Sequence, residues 1–174
     1  MGKRSDFPRI DKDFYRTIDP RAVAALAPYL EPKTRFCEPC AGAGDLIDQL
    51  EAIGHRCVDA WDFYPQRDDI QDRDARHSHA DGIDRYITNP PWSIPLLHEL
   101  IEWLSAQQPT WLLFYADWAH TKQAEPYLKY CRKIVSVGRL KWIPGTTMSG
   151  KDNCAWYLFD QNAEGQTEFF GRAA

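Results

Sequence analysis

Four consecutive residues, Asn89-Pro90-Pro91-Trp92, have the types and spacing for chemistry at a flat amine. The Asn89 side-chain oxygen and the carbonyl of Pro90 are acceptors held close together, and an NH2 group has two hydrogens to give them. The prolines have fixed φ and no N–H, so the carbonyl is aimed and no donor competes for it. Trp92 adds a flat face, and stacking a base on such a face is worth about 1–3 kcal/mol. A rigid acceptor pair beside a stacking platform suits the exocyclic amine of a base. A plainer reading stands beside it: Pro-Pro after a strand is often only a turn, and Trp is often core. The surroundings of the four residues weigh between the two.

Those surroundings are strand, loop and helix. Arg85 to Thr88 reads as a strand, which places the tetrapeptide at a carboxyl end. Leu96, Leu97, Leu100, Ile101 and Leu104 recur at helical spacing after it. Upstream, Thr34 to Cys37 is a strand candidate, Glu38-Pro39-Cys40-Ala41-Gly42-Ala43-Gly44 is a loop, and Asp45 to Leu50 is a helix. Strand, glycine loop, helix is the layout of a nucleotide-type cofactor site, here with Ala-Gly-Ala-Gly in place of GxGxxG. Glycines let the backbone approach a ligand closely. Gly54 ends that helix, and His55 to Asp62 reads as a second strand. An acid at its end, roughly 20 residues past a glycine loop, is where such folds bind a ribose diol. Phe63, next in the chain, is placed to stack on an adenine. Asp74 and Asp81 both precede the Asn89 strand, and either can accept from an adenine amine. His77 and His79 have no further ligand nearby in sequence, so no metal site is expected.

Residues 1–13 are polar and are expected to be mobile. A helix is expected from Pro20 at its first position, with Asp19 as cap; Pro28 should kink or end it. Trp111 to Ala116 reads as a buried strand, Glu125 to Tyr130 as a short helix and Ile134 to Val137 as a strand. A long loop, 138–153, then leads into a last strand ending at Phe159. The tail from Gln161 carries no assigned role. Alternating strands and helices indicate α/β with a mostly parallel sheet, and two final strands joined without a helix indicate an antiparallel pair at one edge. The 174 residues suit one domain. No apolar run is long enough for a membrane span. Nothing apolar follows the basic residues of Met1 to Asp6, so a signal peptide is not expected and a cytoplasmic location is. Cys37 and Cys40 have CxxC spacing without a second pair, which favours free thiols over zinc, with a redox role as the alternative. Net charge is −4, yet Lys122 to Lys151 holds seven basic residues and one acid, Glu125. Such a segment either tracks phosphates or is a solvated face.

The glycine loop, Asp62 and Asn89-Pro90-Pro91-Trp92, in this order and spacing, resemble the S-adenosylmethionine-dependent amino-methyltransferases. The nearest likeness is to small phage or prophage DNA N6-adenine methyltransferases, over about Phe14 to Phe159. The resemblance implies a class I methyltransferase fold, a Rossmann-like, mostly parallel seven-stranded sheet with an antiparallel edge strand. It implies S-adenosylmethionine as cofactor, with Glu38, Pro39, Ala41, Gly42 and Gly44 at its methionine and ribose. Asp62 would bind the ribose, Phe63 would lie against the adenine, and Asp74 rather than Asp81 would take the adenine amine. Phe14-Tyr15-Arg16-Thr17 is similar to the element that closes over the methionine part, although Thr17-Ile18 stands where the family has Thr-Pro or Ser-Pro. Asn89, Pro90, Pro91 and Trp92 would be the catalytic tetrapeptide, Asn89 also bordering the cofactor. Lys141, Trp142 and Lys151 lie in a stretch similar to the substrate-facing loop.

By this likeness the partner is nucleic acid, DNA ahead of RNA. The base would be flipped into the site, and its amine would attack the sulfonium methyl in line, without a covalent intermediate. No segment is long enough for a target-recognition domain. Specificity is therefore loose, comes from the 138–153 loop, or comes from a partner subunit. The same tetrapeptide serves protein-glutamine methyltransferases, which carry an N-terminal helical domain this chain has no room for. It also serves some RNA methyltransferases. A cofactor-binding, inactive subunit that presents nucleic acid to a partner is the non-enzyme reading, and the intact tetrapeptide argues against it.

Overall fold

The computed structural model describes residues 15–172; residues 1–13, expected to be mobile, and Phe14 lie outside the described residues. The sheet is built outward from strands that are apolar on both faces. In β5 (Thr110–Tyr115) the first five residues are buried, the signature of a strand covered on both sides. Side chains alternate across a strand. Trp111 and Leu113 therefore join one core with Phe36, Ile87 and Trp156, while Leu112 and Phe114 join a second with Tyr86, Tyr157 and Phe159. Two helices, α1 (Arg21–Leu26) and α2 (Asp45–Ala52), cover the first core with Ala22, Val23, Leu26, Leu46, Ile47 and Leu50. On the other face α3 (Ile94–Ser105) buries Leu97, Leu100, Ile101 and Leu104, each worth about 1.5–3 kcal/mol.

The remaining strands are β1 (Arg35–Glu38), β2 (Arg56–Asp62), β3 (Gln71–Asp72), β4 (Arg85–Thr88), β6 (Cys131–Gly138), β7 (Cys154–Phe159) and β8 (Glu168–Phe170). The order across the sheet is β3-β2-β1-β4-β5-β7-β6-β8. All pairs are parallel except those of β7, which runs antiparallel to both β5 and β6. The chain leaves β1 towards β2 on one side and meets β4 on the other. That makes β1/β4 the switch point, outside whose carboxyl ends open α/β sheets bind ligands.

Among the described residues the sheet has eight strands where seven were expected. The antiparallel pair is present but not at the edge, because β8 adds outside it. Lys133 pairs with Glu168 at 2.6 Å, Thr167 Oγ1 donates to the Cys131 carbonyl at 2.8 Å, and Phe170 lies against Tyr29 with ring centroids 4.8 Å apart. At the opposite edge, β3 falls in a stretch that reads as loop, since two exposed residues carry no pattern. α1 begins one residue later than expected, after Pro20. Asp19 Oδ1 still accepts the Arg21 N–H at 3.1 Å. A 3-10 turn, Ala27–Tyr29, ends the helix at Pro28. The short helix α4 (Glu125–Leu128) precedes β6.

All five cysteines are free. Burial pushes the Cys57, Cys131 and Cys154 thiols up to about 12 and those of Cys37 and Cys40 higher still. At neutral pH none is a thiolate nucleophile. Among the described residues no helix is long and apolar enough to cross a membrane, and no group of three or more His, Cys, Asp or Glu is placed to hold a metal ion.

Candidate active site

The loops after β1, β2 and β4 leave the same edge of the sheet side by side. The glycine loop turns from β1 into α2 through left-handed residues, Gly42 at φ +53° and Gly44 at φ +79°. At Gly44 a side chain is excluded twice. Its Cβ would lie 2.3 Å from Arg67 Nη1, and Arg67 is held by Asp48 at 2.8 Å and Asp69 at 2.6 Å. The left-handed conformation alone costs a non-glycine residue roughly 1–2 kcal/mol. Gly44→Ala is therefore expected to lower the melting temperature by about 2–8 °C for a chain of this size and to weaken binding at the loop. A thermal melt beside a ligand titration checks it.

Asp62 ends β2 and braces the glycine loop. Its Oδ2 accepts the Gly42 N–H at 2.8 Å and its Oδ1 the Tyr64 N–H at 2.7 Å. Phe63 is exposed beside it, edge-on to Tyr64 with centroids 4.9 Å apart. Asp74 is bound by Arg76 through side chain (2.6 Å) and N–H (3.0 Å), and that guanidinium holds its carboxyl below the usual range. Asp74 lies close enough to Cys40 to contribute, after burial, Asp62 and Glu38, to raising the thiol. Asp81 is turned to solvent, its side chain 98% exposed and paired with His79 at 3.1 Å.

Glu38, the last residue of β1, is only 2% exposed. Its Oε2 is buried with no hydrogen-bond partner among the described residues. Burial, then the neighbouring Asp62 and Asp45, push its carboxyl well above the ordinary value. Pro39, Ala41 and Gly44 are buried beside it, and Gly42 is half-buried.

Asn89, one residue past β4, is held at both ends of its amide. Its Nδ2–H donates to Thr17 Oγ1 at 3.1 Å, and its Oδ1 accepts from Trp92 Nε1 at 3.2 Å. Trp92 shares the same N–H with the Leu113 carbonyl at 3.3 Å. Pro90 is buried, and no donor among the described residues engages its carbonyl. Trp92 is half-buried between the two cores, tilted on Tyr115 (5.9 Å) and edge-on to Trp142 (5.6 Å, 89°). It is anchored rather than free-standing. The segment around Thr17 forms a strap over this region. Arg16 forks onto Asp45 with both contacts at 2.7 Å, and Gln49 Nε2 donates to the Thr17 carbonyl at 2.6 Å. Tyr15 begins the strap and is exposed.

The strap also grips the 138–153 loop. Asp19 Oδ2 accepts the Lys141 N–H at 3.0 Å, and Arg21, paired with Asp19 at 2.5 Å, donates to the Arg139 carbonyl at 3.0 Å. Burial raises the Asp19 carboxyl, but its Arg21 and Lys141 donors outweigh that and hold it at about 2. A depressed carboxyl contributes stability that is present above the unfolded value, about 3.9, and is lost as pH falls through the folded one. Asp19→Asn is therefore expected to remove about 2 kcal/mol at neutral pH and little near pH 2, which melts across that range detect. Further along the loop, Gly150 closes on Leu140 at 2.7 Å and lies under Trp142, where a Cβ would sit 2.8 Å from the indole nitrogen. Lys141 and Lys151 are exposed.

Sequence reasoning did not find Tyr115, Gln49, Arg67 or the Asp19–Arg21 grip. Only Tyr115 carried a signal: it ends the strand next to β4.

No family model matches the sequence, and no curated protein matches it significantly. Solved structures do match. TrmN from Thermus thermophilus is 20% identical with a TM-score of 0.58, over 80% of this chain and 47% of that one. A Listeria monocytogenes protein assigned to the class I S-adenosylmethionine-dependent methyltransferases is 13% identical with a TM-score of 0.61, over 93% and 66%. The modification subunit assigned to a type I restriction enzyme of Vibrio vulnificus YJ016 is 12% identical with a TM-score of 0.56, over 92% and 48%. The fold is that of the class I methyltransferases. The chain spans about half of TrmN and of the restriction-enzyme subunit, and 66% of the Listeria protein.

Proposed function

We propose that the protein transfers a methyl group from S-adenosylmethionine to the exocyclic N6 amine of adenine in nucleic acid, DNA ahead of RNA. One observation carries the reading. The unpartnered Oε2 of Glu38 and the Asn89–Pro90 acceptor pair lie at the ends of adjacent parallel strands, β1 and β4, at the switch point.

The residues present fit the cofactor. Glu38 Oε2 lacks the cation that an amino-acid ammonium provides, and Gly42 and Gly44 leave the loop without side chains. Pro39, Ala41 and the strap residues Tyr15 and Thr17 enclose that side. Asp62 keeps unused lone pairs for a ribose diol, exposed Phe63 offers a face to adenine, and Asp74 offers an acceptor to its amine. When bound, S-adenosylmethionine supplies an electrophilic sulfonium methyl. Asn89 Oδ1 and the Pro90 carbonyl take the two amine hydrogens of the target base, so its nitrogen lone pair is turned out of ring conjugation and towards the methyl. Positioning and aimed dipoles account for the rate. Trp92 and Trp142 wall the base, which must leave its stack to arrive.

The basic segment divides around this site. Arg132 is tied to the Ala163 and Gly165 carbonyls and Lys133 to Glu168, near the start of β6. Arg139, Lys141 and Lys151 are exposed on the loop that follows β6, on the edge that carries Asn89, and Lys122 is exposed between β5 and α4. They are the residues we read as phosphate contacts. We read the 138–153 loop or a partner subunit as the source of sequence preference. Likeness to a restriction-enzyme modification subunit supports this arrangement.

Transfer of labelled methyl to matched single-stranded DNA, duplex DNA and RNA tests the reading. N6-methyladenine in DNA is the expected product. Label in RNA alone reassigns the substrate, and cofactor binding without any transfer makes the protein a presenting subunit.

A further inference from the structure

Asn89 is useful only if its oxygen, not its NH2, faces the target amine. An amide turned by 180° has nearly the same shape and presents donors to a donor. The two hydrogen bonds of this amide are of opposite kind. Thr17 Oγ1 receives Nδ2–H at 3.1 Å, and Trp92 Nε1 gives its hydrogen to Oδ1 at 3.2 Å. Indole N–H is donor only, so a flipped amide would set N–H against N–H. Each partner is itself fixed from elsewhere. Thr17 is 6% exposed, with its carbonyl held by Gln49 at 2.6 Å. Trp92 Nε1 is shared with Leu113 of β5 at 3.3 Å.

We propose that Trp92 and Thr17 are positioning residues for the Asn89 amide: the Trp92 N–H, a donor only, sets which side the oxygen takes, and the Thr17 hydroxyl, which can accept or donate, holds the amide in place. The inference rests on the methyltransferase reading for its consequence, but the lock itself is a property of the protein alone. Trp92 then has two separable parts: a ring that walls the base and an N–H that orients Asn89. Only tryptophan among the aromatic residues combines the two, since phenylalanine has no donor and the tyrosine hydroxyl lies elsewhere on the ring. The Thr17 hydroxyl is spent on Asn89 and acts through it, while the strap around Thr17 encloses the cofactor side. The strap continues to Asp19 and Arg21, which hold the backbone of Arg139 and Lys141. Thr17 therefore sits on the same segment that grips the substrate loop.

The test separates the lock from the activity. Side-chain amide hydrogen exchange of 15N-labelled Asn89 is measured in the wild type and in Thr17→Val, Thr17→Ser and Trp92→Phe. The expected result is slow exchange in the wild type and the serine variant, and exchange about tenfold faster in the valine variant, matching the loss of one neutral hydrogen bond. Methyl transfer is followed alongside. Thr17→Val and Trp92→Phe should each lower kcat about tenfold, with cofactor Kd little changed, and Thr17→Ser should recover most of the loss. Fast exchange in the wild type, equal kcat loss in the serine and valine variants, or a valine effect confined to cofactor Kd would each overturn the proposal. Slow, Thr17-dependent exchange in a protein that transfers no methyl would instead keep the lock and overturn the assigned activity.

Discussion

Replacing Asn89 by alanine is expected to lower methyl transfer by about 10²–10³-fold, the usual loss when one aimed hydrogen-bonding group is removed from a reacting centre. Cofactor affinity should stay within a few-fold, because most of the groups read as holding the cofactor lie around the ends of β1 and β2. The protein should remain folded. Alanine leaves Trp92 Nε1 with the Leu113 carbonyl and deprives Thr17 Oγ1 of one donor, a cost of about 1 kcal/mol. The measurement pairs a transfer assay with a cofactor titration and a melt. If activity and cofactor binding collapse together, Asn89 is a structural residue of the turn and the assigned mechanism fails.

Glu38→Gln is expected to move stability and binding in opposite directions. Burial, then Asp62 and Asp45, raise the Glu38 carboxyl in the folded protein, whereas unfolded glutamate titrates near its ordinary value of about 4.3. A raised group contributes stability that is fully present below the unfolded value and is lost as pH rises through the folded one. Glutamine carries no such charge. In the absence of cofactor the variant should gain on the wild type as pH rises through that window. Glutamine keeps a polar group in the same place, so the gain reflects only the avoided charge and is read as a melting temperature above that of the wild type at high pH. Cofactor binding should fall by about a hundredfold, the loss that follows when a cation is left without its charged partner. An ammonium placed against Oε2 favours the carboxylate. Cofactor binding by the wild type should therefore release a proton and tighten with rising pH through the same window, and the glutamine variant should show neither. Melts from pH 5 to 9 and calorimetry in buffers of different ionisation enthalpy read both. A variant that melts lower than the wild type at pH 8, or a wild type that binds without proton release, would count against this account.

What could be read from the chain was what local pattern encodes. The strand Arg85–Thr88 and the turn at Asn89 fall where the residues indicate, because the apolar run and the prolines act on their own neighbours. The glycine loop leads into α2 for the same reason. Local pattern cannot show that Thr17 lies against Asn89, 72 residues away, nor that Trp92 spends its N–H on Asn89. It also presents Lys122 to Lys151 as one basic run, whereas strand direction sends its members to opposite edges of the sheet. β3 and β8 were illegible because strands of two and three residues, exposed but for Phe170, are too short to show a period; they form because β2 and β6 offer them an edge.

The place of β7 governs how this protein is made. β5 is complete at Tyr115, yet its neighbour on one side is a strand that ends at Phe159. During synthesis an apolar strand therefore waits with an open edge, the kind of edge that recruits other chains. Trp156 closes the interval by donating to the Ala22 carbonyl at 2.8 Å, and Tyr157 by donating to the Ala116 carbonyl at 2.9 Å. Contacts this distant in sequence slow folding. A nascent chain stopped after Gly138 would hold the loops after β1, β2 and β4 and still lack the strand that seals the sheet, so premature termination there should yield aggregating protein rather than a weakened enzyme.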